Sequence, residues 1–262
     1  MIRTLLNWKM AGVFIVMCFA MGPSAATQSS VLPWDMPAAL TPMRMRKAWV
    51  PCYHTDPVRP ELTLQVHDRL MGDIEKAQPD VLFVGDSLVG FWRRPGNVAS
   101  WKKLIAPLNA CNLGVAGDMT ENILWRLSNG ELHGIHPKVI VLLTGTNNLW
   151  RDDTGDIIKG VSAILQTIDK ATPDARIILV GVPPRNDREW RPDFDGKIGE
   201  LNIALAKLAN GKQISYFYFG DKFLDQNGKL AKGFLADGLH PTPRGYEIWG
   251  EQIRPVLDGM MK

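Results

Sequence analysis

The chain has 262 residues, 45% of them hydrophobic and 22% charged, and a formal net charge of +3 at pH 7. Such a length allows one large domain or two small ones, and so small a charge leaves no electrostatic footprint for nucleic acid. No linker, internal repeat or low-complexity segment divides it.

Arg3 and Lys9 are the only charges ahead of an apolar run from Met10 to Met21, which gives way to the small residues Ser24, Ala25 and Ala26. This is the layout of an export signal over residues 1–26, and the run is shorter than the roughly 20 residues that span a bilayer. The expectation is a cleaved signal, an exported protein, periplasmic or secreted, and no stable membrane anchor. Cys18 lies in this segment, and Ile15-Val16-Met17 before it lacks the small residues that precede a lipid-modified cysteine. Residues 27–60, which contain several prolines, read as an extended N-terminal arm. Two cysteines remain, Cys52 and Cys111. They allow either a disulfide tying arm to body or, for Cys111, a small core residue.

From Glu61 onward, short apolar runs alternate with amphipathic segments. Val81 to Val84, Ala110 to Leu113, Val139 to Leu143, Ile177 to Val182 and Ile214 to Phe219 read as five buried strands, each closed by Gly, Thr-Gly or Pro. Helices are expected over Glu61 to Lys76, Thr154 to Ala171, Phe194 to Ala209 and Thr242 to Met260. A further helix starts at Asp118, where Asp118 and Glu121 have capping-box spacing ahead of Ile123, Leu124 and Leu127. Alternating strands and helices imply a parallel sheet covered on both faces. With right-handed crossovers, the α/β architecture of choice is a five-stranded sheet in the flavodoxin-like order 2-1-3-4-5.

Open parallel sheets bind ligands beyond the carboxyl ends of their strands, and Ser87, Gly117 and Asn147 fall there. A serine hydroxyl becomes a nucleophile when an imidazole takes its proton and a carboxylate holds that imidazole in one tautomer. Alone, Ser87 is better read as a helix N-cap. Asp237 and His240 lie three residues apart around Gly238 in a turn-rich segment, so one loop can present both. His54 and His67 precede the sheet; His133 and His136 lie between a helix and a strand without acid or cysteine at ligand spacing, so no metal is expected. The Ser87 N–H, the Gly117 N–H and the Asn147 amide are candidate donors to a carbonyl oxygen gaining charge, each worth about 3 kcal/mol. Trp92, Trp101, Trp125, Trp150 and Trp190 are numerous enough to line a sugar or acyl surface. Trp125 fits packing better, and Trp150 and Trp190 fit a substrate-binding rim. The segment from Pro184 to Asp195, with Arg185, Arg188 and Arg191, is either a solvated loop or a contact for a polar leaving group.

These residues stand in the blocks VLFVGDS, NLGVAGD, ILWRLSNGEL, PKVIVLLTGTNN and DGLHPTPRGY. In them the chain resembles the SGNH, or GDSL-type, hydrolases, and within that group the catalytic subunits of intracellular platelet-activating factor acetylhydrolase and their bacterial relatives. The first block runs on into Leu88 and completes Gly85-Asp86-Ser87-Leu88; the fourth ends Asn147-Asn148 where many members have Asn-Asp, so Asn148 receives no catalytic role. The resemblance implies a three-layer α/β/α hydrolase domain over residues 61–262, without metal or cofactor. It assigns Ser87 as nucleophile, Asp237 and His240 as its partners, and Ser87, Gly117 and Asn147 as oxyanion donors. The expected activity is that of a serine esterase removing short acyl groups, acetyl foremost, from a small-molecule or carbohydrate ester. Two alternatives use the same cleft: an acyltransferase acting on a sugar hydroxyl, and a noncatalytic carbohydrate-binding protein.

Overall fold

The computed structural model describes residues 46–53, 61–187 and 194–262. The export signal expected at residues 1–26 lies outside them. Helix α1 (Glu61–Ala77) leads into β1 (Val81–Gly85), which passes directly into the short helix α2 (Ser87–Gly90). There follow β2 (Ala110–Gly114), α3 (Thr120–Arg126), β3 (Val139–Leu143) and α4 (Thr154–Ala171). The order closes with β4 (Arg176–Val180), α5 (Phe194–Ala206), β5 (Ile214–Phe217) and α6 (Pro243–Met260).

All five strands pair in parallel in the order β2-β1-β3-β4-β5, the expected 2-1-3-4-5. The period-2 alternation of each buried strand supplies two cores. Leu82, Val84, Ile140, Leu142, Ile177 and Leu179 point to one face and pack with Leu70, Ile123, Val161 and Leu201 from α1, α3, α4 and α5. Phe83, Val141, Ile178 and Val180 point to the other, against Trp92, Trp101, Tyr246 and Trp249. Burying each such side chain contributes about 1.5–3 kcal/mol, against about 1 kcal/mol for a helix cap. Strand alternation, not capping, therefore decides which face each helix covers.

The ends of the elements depart from the sequence pattern for identifiable reasons. β4 ends at Val180, short of the expected Val182: the Gly181 N–H still donates to the Phe217 carbonyl at 2.9 Å, but Asn202 of α5 takes both main-chain groups of Val182, its Oδ1 accepting from the N–H at 2.7 Å and its Nδ2 donating to the carbonyl at 2.9 Å. The Asp118–Glu121 capping box does not open α3. The helix starts at Thr120, and Asn122 Oδ1 accepts from the Met119 N–H at 2.9 Å. Asp118 instead turns its carboxylate inward to accept from Arg126 Nε at 2.8 Å, since a buried guanidinium requires a counter-charge more than a helix end requires a cap.

The disulfide alternative is not adopted: Cys52 and Cys111 are both free thiols, Cys52 buried and Cys111 within β2. Hydrogen bonds tie this part of the arm down instead. The Cys52 N–H donates to the Glu121 carbonyl at 3.0 Å, Asn122 Nδ2 to the Cys52 carbonyl at 2.9 Å, and Thr120 Oγ1 to the Ala48 carbonyl at 2.8 Å. Among the described residues no helix is long and apolar enough to cross a membrane.

Candidate active site

β1 delivers the chain to Asp86 and Ser87 at the carboxyl end of the sheet. Asp86 is the N-cap of α2, its Oδ1 accepting from the Leu88 N–H at 2.8 Å, and Ser87 is the first residue of the helix. The main-chain N–H of Ser87 is thus one of the donors that a helix start leaves without an intrahelical acceptor. α2 lies directly on β2 because both contact points are glycines; a Cβ on Gly114 would stand 2.1 Å from the Gly90 nitrogen. From α6, the Tyr246 hydroxyl donates to the Leu88 carbonyl at 2.9 Å. The nucleophile candidate, 6% exposed, is therefore held by a cap, a backbone contact and a bond from the last helix.

The loop before α6 brings in the other two triad candidates. Asp237 Oδ1 accepts from the Leu239 and His240 N–H groups at 3.0 and 2.8 Å, which folds the loop around its own carboxylate. Its Oδ2 lies 2.7 Å from His240 Nδ1, and His240 Nε2 lies 2.9 Å from Ser87 Oγ. With Nδ1 donating to the carboxylate, Nε2 is left to accept from the serine hydroxyl. Desolvation opposes the charged form of Asp237, but the His240 N–H, the imidazole and the Leu239 N–H outweigh it and hold this carboxyl down at about 2. The Phe91 ring packs 4.6 Å from the imidazole and backs it on one side.

The oxyanion candidates approach from β2 and β3. Val115 donates to the Gly85 carbonyl at 3.0 Å, and Asp118 donates to the Val115 carbonyl at 3.3 Å, closing a turn with Gly117 at φ +83°. Asn147 Nδ2 donates to the Asp118 carbonyl at 2.8 Å; the same nitrogen carries a second hydrogen. Gly117 and Asn147 are thereby joined into one unit beside the end of β1. Asn148 points the other way: its Oδ1 accepts from the Thr120 N–H at 3.0 Å and its Nδ2 donates to Asp152 at 2.7 Å, so it ties β3 to α3.

The rim differs from expectation. Trp92, Trp101 and Trp125 are buried. Trp92 donates its indole N–H to Ser100 at 2.9 Å and stacks on Trp249, while Trp125 packs on Tyr53 and His67. None of the three lines a surface, because each fills space between a helix and the sheet or the arm. Trp150 is half-buried, edge-on to Phe194 at 4.5 Å. Trp190, Arg188 and Arg191 lie outside the described residues. Arg185 is neither solvated nor a free substrate contact: at 2% exposure it donates to both Asp187 oxygens at 2.7 and 2.8 Å and to Thr146 Oγ1 at 3.2 Å.

Two features escaped the sequence. Asp86 is fully buried, and its Oδ2 has no hydrogen-bond partner. Burial pushes its carboxyl up to about 7, with Asp118 adding to the rise while the Leu88 N–H and Arg185 oppose it. The N-cap that the sequence offered at Ser87 falls one residue earlier, at Asp86, with Ser87 as the first helical residue; the burial of Asp86 left no mark in the sequence. The second is a buried ion-paired triplet, Asp118–Arg126–Glu131, with the His67 ring against its outer carboxylate. Burial works against the charged form of Glu131, but Arg126 and His67 hold its carboxyl below the ordinary range.

Residues 83–248 match the model of the GDSL-like lipase/acylhydrolase family. Platelet-activating factor acetylhydrolase IB subunit alpha2 of Homo sapiens is 38% identical over 183 residues, which are 69% of this chain and 76% of that one. A GDSL-like lipase structure from Bacteroides thetaiotaomicron superposes with TM-score 0.62 at 19% identity, over 74% of this chain and 97% of its own. A carbohydrate acetylesterase from Sinorhizobium meliloti does so with TM-score 0.53 at 17% identity, over 70% and 99%. At those identities the two structures speak for the fold.

Proposed function

The chain belongs to the GDSL-like lipase/acylhydrolase family and is a serine hydrolase, and on that premise we propose that it removes short acyl groups, acetyl foremost, from a small-molecule or carbohydrate ester. The observation that carries this reading is the unbroken bond path from Ser87 Oγ through His240 to Asp237. Ser87 attacks the ester carbonyl as His240 Nε2 takes its proton. Asp237 fixes the imidazole tautomer and stabilises the imidazolium that forms. The N–H groups of Ser87 and Gly117 and the Asn147 amide receive the carbonyl oxygen as it becomes negative. His240 then returns the proton to the departing alkoxide, and the same imidazole activates the water that cleaves the acyl-serine.

The acetyl preference is supported by the human relative, whose name is that of an acetylhydrolase. A sugar-bearing alcohol portion is argued from Trp150 alone, half-buried in the segment after β3 and packed edge-on against the fully buried Phe194, since an indole offers an apolar face together with an N–H donor. Export to the periplasm or medium is supported by the basic-then-apolar leader ending in Ser24, Ala25 and Ala26.

The test is turnover of p-nitrophenyl acetate, longer p-nitrophenyl esters and acetylated sugars by the wild type and by Ser87→Ala. The reading requires turnover that falls with acyl length and that the variant lacks, a loss on the order of 10⁶ in kcat. Undiminished turnover by Ser87→Ala would remove the nucleophile from the scheme. Products carrying the acyl group on an added sugar would replace hydrolysis with transfer.

A further inference from the structure

Asp118 connects two parts of the molecule that otherwise have nothing in common. Its main chain follows Gly117, and its carbonyl accepts from the Asn147 amide at 2.8 Å. Its side chain is fully buried and accepts from Arg126 Nε at 2.8 Å. Arg126, itself 2% exposed, donates through Nη1 to the buried Glu131, and Glu131 is paired in turn with His67 on α1 at 3.2 Å. No member of this chain belongs to the Ser87–His240–Asp237 path.

Stability is a poor explanation for such an arrangement. Replacing a buried ion network with apolar side chains of like volume is often neutral or favourable, because the charges must first leave water. What the network does supply is direction. A guanidinium is planar and offers its donors in a fixed fork, so a carboxylate bound to it at one side is fixed in both position and orientation. Arg126 is held at two points, by Asp118 and by Glu131, and α1 braces the far end through His67. The residue so fixed accepts from the Asn147 amide on its own carbonyl and directly follows Gly117 in the chain, so its position bears on both oxyanion candidates that Ser87 does not itself provide.

We propose that Arg126 is a positioning residue of the oxyanion site: by clamping Asp118 it holds the Gly117 N–H and the Asn147 amide where the developing oxyanion will be. This rests on the oxyanion reading given above. Donors of that kind act on charge that exists only in the transition state, so loosening them lowers kcat and leaves KM nearly alone.

The experiment is a double-mutant cycle read in kcat and KM on p-nitrophenyl acetate. Arg126→Lys keeps the charge but cannot bridge two carboxylates in the fork geometry. Its kcat should fall about 10- to 100-fold, the range for a displacement on the order of 1 Å, with KM within about twofold. Asn147→Ala should fall about 10²- to 10³-fold. If Arg126 acts through the oxyanion donors, the double variant falls by less than the product of the two losses, because one of the two donors that Arg126 positions is already gone in Asn147→Ala. Full multiplication of the two losses would overturn the proposal, and so would a wild-type kcat in Arg126→Lys alongside an impaired Asn147→Ala. A wild-type kcat in Asn147→Ala would instead overturn the oxyanion reading beneath it. Should Arg126→Lys fail to fold, Glu131→Gln retains the Asp118 contact while weakening the outer anchor. It should show a smaller kcat loss in the same cycle; an unchanged kcat there would equally count against the clamp.

Discussion

Asp86 places an ionisable group in the least hospitable position of the site, and replacing it with asparagine isolates what the charge does. In the native protein the carboxyl is fully buried, one oxygen caps α2 and the other bonds to nothing. Burial first, and the nearby Asp118 second, push it from the ordinary 3.8 to about 7. The folded form therefore binds this proton more tightly than the unfolded chain. The stability associated with neutral Asp86 is fully present below about pH 4 and is lost as pH rises through about 7. At about 1.4 kcal/mol per pH unit, the loss across that window is on the order of 4 kcal/mol. Asp86→Asn keeps an oxygen for the Leu88 N–H and cannot ionise. Its own unfolding free energy carries a fixed penalty for burying an amide, but that penalty does not titrate. Urea unfolding at intervals from about pH 4 to about pH 8 should show the variant gaining on the wild type steadily, by on the order of 4 kcal/mol in all. A difference that stays constant across the range would refute the buried-proton argument.

Asp237 behaves in the opposite sense. Its carboxyl is held down at about 2, against the opposing desolvation, by the His240 and Leu239 groups, so what it contributes is present above about pH 4 and lost as pH falls through about 2. It stays charged wherever an ester assay is practical. Asp237→Asn should lower kcat on the order of 10⁴-fold, because the amide would donate to His240 Nδ1 and select the wrong tautomer; single-turnover kinetics on p-nitrophenyl acetate check this, and a loss below tenfold would contradict the assigned role. Gly114→Ala would force a Cβ to within 2.1 Å of the Gly90 nitrogen. Because the obstacle is backbone, α2 must shift away from β2, and both melting temperature and kcat should fall; a variant with wild-type kcat would show that α2 tolerates displacement.

How much could be read without coordinates follows from how local each signal is. The strands Val81–Gly85 and Val139–Leu143 are short continuous apolar runs closed by glycine or threonine-glycine, and strand-like length with a strong stop is enough to place them. Crossover handedness narrowed the sheet order, and the flavodoxin-like 2-1-3-4-5 was the choice among the orders that remained. Ser87, Asp237 and His240 were nameable because nucleophilic chemistry demands those groups in company, yet that Nε2 comes to 2.9 Å from Oγ depends on packing across 153 residues of chain. The errors share one cause. Trp92 and Trp101 were candidates for a surface, and Arg185 was assigned to an open loop, because nothing in their neighbours tells whether an amphipathic side chain turns in or out. Asp118 showed the spacing of a surface cap; only Arg126, eight residues on and facing inward, makes it a buried anion. Long-range pairing of buried charges leaves no periodicity to detect.

The glycine contact between α2 and β2 also bears on how this enzyme could change over time or in a laboratory. Where side chains separate two elements, trimming or swelling one of them slides the elements in small steps, and selection can act on each step. Here main chain rests on main chain, so the depth at which the serine sits is a constant and not an adjustable dimension. New substrates would have to be reached by rebuilding the outer loops around a stationary hydroxyl, and a mutagenesis library aimed at retuning this protein is better spent there than beneath Ser87.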